Sequence, residues 1–170
     1  MKPTGSYRDN NIGRLHPKSV GTHHISTPGE IVETQVEDYA KPEDIEAALN
    51  MRRVAIMGLS SNPAKPSFTV GHYLQRRGYE VVPVNPTETE VLGEKAYASL
   101  ADLPEPPEVV DVFRRADHLP QIVDEAIAAG AKAVWFQLGI VNEEAARKAR
   151  EAGLIVVMDR CMKIESSMRF

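Results

Sequence analysis

Residues 54–67, VAIMGLSSNPAKPS, hold the decisive pattern. An apolar run of strand type, Val54–Met57, breaks at Gly58 and gives way to a polar loop of Ser, Asn and Pro with one lysine, Lys65. An amphipathic helix opens directly afterwards, with Ser67 as its expected N-cap and Val70, Tyr73 and Leu74 as its apolar face. A strand, a loop of small residues and a helix N-terminus, in that order, bring unpaired N–H groups and the positive end of a helix dipole to one place. Such places favour anions, phosphates first. The stretch points to a phosphorylated small molecule as ligand.

Outward from this stretch the same alternation repeats. Arg53–Met57 reads as the first strand, and Tyr79–Val84, Val109–Phe113, Ala133–Phe136 and Leu154–Met158 follow it. Pro42 suits the first turn of a helix carrying Ile45, Ala48 and Leu49. Asp117 is the expected cap of a helix whose core face is Leu119, Ile122, Val123, Ala126 and Ile127. Asn142 caps the next, which carries Ala145, Ala146 and Ala149, and Asp159–Phe170 reads as a final turn or helix. Between the second and third strands lie a loop with Gly93, a short turn of helix at Ser99–Leu103, and an irregular cluster of Pro104, Pro106 and Pro107. Strands alternating with helices mean βαβ units and a parallel sheet, and near-continuous apolar strands mean that both faces are covered. The expected fold is α/β: a single doubly wound parallel sheet of Rossmann-like type over residues 41–170.

Residues 1–40 differ. Scattered glycines, three prolines and few large aliphatics read as an irregular tail, flexible or laid over the surface. His16, His23 and His24 lie there without an acid or cysteine at ligand spacing, so no metal site is expected. The whole chain is 42% hydrophobic and 26% charged, as in soluble globular proteins. A net charge of −4 speaks against a nucleic-acid or anionic-membrane surface. No apolar run has the length of a membrane span, and no signal-peptide pattern opens the chain. One cysteine, Cys161, excludes an internal disulfide framework, and the expected location is cytoplasmic.

In a doubly wound sheet, five segments converge at the C-terminal strand ends: Gly58–Ser67, Asn85-Pro86, Arg114-Arg115, Gln137–Gly139 and Asp159-Arg160. The first supplies N–H groups, the hydroxyls of Ser60, Ser61 and Ser67, and the charge of Lys65. Arg114 and Arg115 follow the third strand directly, and an arginine pair there can clamp a phosphate in bidentate fashion. A nicotinamide dinucleotide fits these residues poorly. Of the G-x-G-x-x-G fingerprint only Gly58 remains, and Val84-Asn85-Pro86 stands where an acid would hold the ribose. Lys65 is followed by Pro66 and no GK[ST] occurs, which excludes a P-loop.

GLSSNPAKPS, GYEVVPVNP, DVFRR, VWFQLGI and VVMDRC together resemble the small bacterial and archaeal CoA-binding domain proteins. These are similar to free-standing relatives of the N-terminal domain of the succinyl-CoA synthetase α subunit. The resemblance runs in order from about Ile45 to Glu165. It implies that Gly58, Ser60, Lys65 and Ser67 hold the pyrophosphate and the start of the pantetheine arm of coenzyme A. It implies further that Asn85 and Pro86 border the adenosine, that Phe113 and Arg114 lie along the ligand, and that Gln137 to Gly139 close the far side. The complete synthetase adds a phosphorylated histidine and an ATP-grasp partner, and neither His72 nor His118 has an evident acid partner here. Cys161 is either a small hydrophobe or a thiol close enough to the CoA thiol to form a mixed disulfide. Three readings stay open: a non-catalytic carrier or sensor of CoA or acyl-CoA, an enzyme acting on a CoA thioester, and an NAD(H)-binding redox sensor. A protein partner or a homo-oligomer is compatible with each.

Overall fold

Strands rich in valine and helices with one apolar stripe need a partner on each face, and the computed structural model, described over Glu37–Phe170, supplies both. In chain order the elements are α1 (Pro42–Leu49), β1 (Arg53–Met57), α2 (Pro66–Arg76), β2 (Glu80–Val84), β3 (Glu90–Val91) and β4 (Glu94–Lys95). Then follow β5 (Val109–Val112), α3 (Leu119–Ala128), β6 (Ala133–Phe136), α4 (Glu143–Glu151), β7 (Ile155–Met158) and α5 (Met162–Arg169). Five strands form one sheet in the order β2-β1-β5-β6-β7, and every neighbouring pair is parallel. The order reverses between β1 and β5, the switch point at which open α/β sheets bind their ligands.

Side-chain alternation divides the core between two faces. Val54, Ile56, Trp135 and Val157 face Leu49, Leu74 and Met162 of α1, α2 and α5. Ala55, Val110, Val112 and Phe136 face Ile122, Val123, Ala145 and Ala149 of α3 and α4. Burial on both faces is why VAIM, VVDV and AVWF carry no polar alternation beyond Asp111.

Four local expectations need correction. Lys65, not Ser67, is the N-cap of α2, because Pro66 is suited to the first helical position and draws the start forward. Asp117 does not cap α3; it lies in a short 3₁₀ turn, Ala116–His118, where Arg115 holds its carboxylate. Ile127 is 37% exposed, at the rim of the α3 stripe. The Gly93 loop is a small antiparallel hairpin of β3 and β4, a pairing too short to leave a period in the sequence. Asn142 does cap α4, its side chain accepting the Ala145 N–H at 2.9 Å.

The expected tail and its histidines His16, His23 and His24 lie outside the described residues, save for positions 37–40. There Tyr39 is buried, its carbonyl accepts the Met158 N–H at 2.8 Å, and Arg150 stacks over its ring. Burial with Glu37 beside it pushes the Tyr39 phenol up to about 12. Among the described residues no helix is long and apolar enough to cross a membrane.

Candidate functional site

Strand register assembles the site. Val84, Met57, Val112, Phe136 and Met158 are Cα partners across the sheet. The next residue of each chain segment, Asn85, Gly58, Phe113, Gln137 and Asp159, therefore stands in one row at the C-terminal edge. Four of those five are expected ligand residues, drawn from segments scattered over nearly half of the chain. By strand alternation the row lies above Ile56, Asp111, Trp135 and Val157.

Gly58 is the pivot of the row. Its φ is +83°, and a Cβ there would lie 2.8 Å from the Phe113 carbonyl oxygen, so the switch point closes only around glycine. Its N–H donates to the Val84 carbonyl at 2.8 Å, which ties the loop to β2.

The loop that follows is internally bonded. The Ser60 N–H donates to Ser67 Oγ at 3.2 Å, the Asn62 N–H to Ser60 Oγ at 3.1 Å, and the Ala64 N–H to Asn62 Oδ1 at 2.9 Å. Ser61 donates both its N–H and its hydroxyl to Glu88 Oε1, at 2.9 and 3.0 Å. The expectation of open N–H groups thus changes here: several are occupied, and one pair already holds a carboxylate. Ser67 is buried and acts as the peg on which the loop hangs. Lys65 is exposed at the start of α2 and has no ion-pair partner among the described residues.

Asn85 is buried and its side chain is committed: Nδ2 donates to the Leu59 carbonyl, and Oδ1 accepts from the Thr87 N–H and hydroxyl. It shapes the turn that presents the exposed Pro86. Pro86, Met57, Arg114, His118, Gln121 and Glu125 line a cavity of about 260 Å³ beside the row. Whole-ligand pockets run to roughly 300–1,000 Å³, so this cavity suits one end of an elongated ligand.

The two arginines part company. Arg114 is half-buried, reaches to 3.4 Å from where a Gly58 Cβ would sit, and has no carboxylate at ion-pair distance among the described residues. Arg115 is turned outward, its side chain 82% exposed and paired with Asp117 at 3.2 Å. A single arginine, not a clamp of two, faces the switch point.

At the far side, the Gly139 N–H donates to Asp159 Oδ1 at 2.7 Å. Gln137 is buried, and its Nε2 donates to Asp111 Oδ1 at 2.7 Å. Asp111 is wholly enclosed and its Oδ2 has no partner. Burial pushes the Asp111 carboxyl up to about 7, and the Gln137 hydrogen bond offsets this only in part. Phe113 packs half-buried beside them. Cys161 is half-buried at the N-cap of α5, and His72 stacks on Phe68, outside the row.

Two residues of this site went unread in the sequence. Glu88 sits in an unpatterned TETE stretch and carried no signal. Asp111 did carry one, as a lone acid inside an otherwise apolar strand.

Residues 52–167 match the family model of a CoA binding domain. The chain is 40% identical to the uncharacterized protein YneT of Bacillus subtilis, over 76% of this chain and 96% of that protein. It is 27% identical to the ADP-forming acetate–CoA ligase II of Archaeoglobus fulgidus, where the match spans 66% of this chain but 17% of the ligase. Among solved structures, a hypothetical protein from Pyrococcus horikoshii superposes with a TM-score of 0.71 at 45% identity, covering 74% of this chain and 89% of that one. By a family match that takes in the first strand, the last strand and all of the row between them, this chain belongs to the CoA-binding domain family.

Proposed function

We propose that the protein binds coenzyme A or an acyl-CoA at the row Asn85, Gly58, Phe113, Gln137, as a cytoplasmic, non-catalytic carrier or sensor. In this reading Ser60, Ser61, Lys65 and the α2 N-terminus meet the diphosphate, and Arg114 meets a phosphate from across the switch point. Pro86 and the neighbouring cavity take the adenosine, and Gln137 and Gly139 border the pantetheine arm. Ser67 and Asn85 serve by shaping the loops, and Arg115 lies outside the contact surface.

One observation carries the reading. Lys65 and Arg114 are cations without acidic partners among the described residues, and they belong to the two segments that follow β1 and β5, which close on each other at Gly58. Coenzyme A brings a diphosphate and a 3′-phosphate and needs no ribose-reading acid, which suits Asn85 at the end of β2. The non-catalytic role is supported by the composition of the row. It offers carboxamides, a glycine and apolar contact, and no nucleophile paired with a base.

Titration calorimetry with CoA, acetyl-CoA and NADH tests this. CoA and acetyl-CoA should bind, and Lys65→Ala and Arg114→Ala should each weaken binding about tenfold, the loss of one charge-assisted contact. Thiol release from acetyl-CoA should stay at the uncatalysed rate. Tight NADH binding with no heat from CoA or acetyl-CoA would falsify the assignment.

A further inference from the structure

A lone acid in the middle of the central strand is costly unless it acts on something. The other three positions of β5 are valine, and Asp111 is fully buried with one oxygen unpartnered. Removing a carboxyl from water without full compensation destabilises the fold, and an apolar residue of similar volume would serve packing better. Its side-chain partner is Gln137, which belongs to the row directly above.

A buried carboxamide has two faces, and its neighbours decide which one turns outward. With Asp111 ionised, both of its oxygens can only accept. The 2.7 Å contact therefore selects Nε2 of Gln137 as the inward atom. Oε1, the acceptor, is left for the crevice, and it has no protein donor among the described residues.

We propose that Asp111 is a positioning residue that locks the Gln137 carboxamide so that its carbonyl reads an N–H or S–H donor on the pantetheine arm of the ligand. This rests on the CoA reading above and adds the orientation and chemistry of its far side. The donor is either an amide of the arm or its terminal thiol.

A double-mutant cycle on CoA affinity tests it, with apo melting temperature recorded for each variant. Gln137→Met should weaken CoA about tenfold, the value of one buried hydrogen bond. Asp111→Asn leaves the carboxamide free to turn and should weaken CoA severalfold without lowering the melting temperature. Asp111→Val, which matches its strand neighbours, should do the same and serves if the Asn variant folds poorly. In the Gln137→Met background neither change at 111 should matter further. Equal losses with CoA and acetyl-CoA assign an amide N–H as donor, and a loss confined to CoA assigns the thiol. The proposal is overturned if Asp111→Asn binds as the wild type does, if its loss persists in the Gln137→Met background, or if Gln137→Met itself binds normally. Wild-type protein that ignores CoA and acetyl-CoA would sink the parent reading as well, which separates the two failures.

Discussion

Asp111 and Gly58 act on the stability of the sheet in opposite directions. An unfolded Asp111 ionises near 3.8, whereas the folded carboxyl does so at about 7. Its folded value is raised, so its contribution to stability is greatest below pH 3.8 and is lost as pH rises through about 7. Denaturant unfolding of the wild type should therefore weaken across that window and level off above it. Asp111→Asn should flatten the curve and gain on the order of 4 kcal/mol over wild type at alkaline pH. An unchanged pH profile in that variant would show that the buried carboxyl is not the group responsible. Gly58→Ala works in the opposite direction. The added methyl meets the Phe113 carbonyl at 2.8 Å with φ at +83°, so urea unfolding should show a loss of about 2 kcal/mol or more. CoA binding should fall with it, since the β1–β5 edge must open to admit the methyl.

At the scale of elements, the segment between β2 and β3 would compete with a phosphate bound as proposed. Glu88 reaches from it to the Ser61 N–H and hydroxyl, placing a negative charge where a phosphate would lie. The Glu88→Gln variant removes the charge and keeps an acceptor oxygen. Its CoA affinity should rise severalfold at low salt, and the gain should shrink at high salt as surface charges are screened. Equal affinities for the two proteins at low salt would mean that Glu88 leaves the phosphate path freely. The same element explains one failure of sequence reading. A hairpin of two-residue strands has no periodicity to detect, so its arm was legible only as a loop around Gly93.

For the molecule as a whole, ligand binding and stability are linked. A ligand that binds only the folded state at about one hundred times its Kd adds roughly 2.7 kcal/mol, so CoA should raise the melting temperature by about 5–10 °C while NADH leaves it unchanged. A shift with NADH and none with CoA would reverse the ligand assignment. Alternation of apolar strands with capped or proline-led helices was enough to establish the parallel α/β sheet and its five strands. Those features follow from interactions within a few residues: strand pleat, helix period, turn chemistry. Which donors are open and which are spent was decided by partners far apart in the chain. Ser61 and Glu88 are separated by 27 residues and Gln137 and Asp111 by 26, and Arg114 parts from Arg115 only because the 3₁₀ turn offers Asp117 to one of them. Hydrogen bonds and ion pairs depend on ångström-scale placement that only the closed sheet provides, so candidate residues could be named along the chain, but their partners were decided in three dimensions.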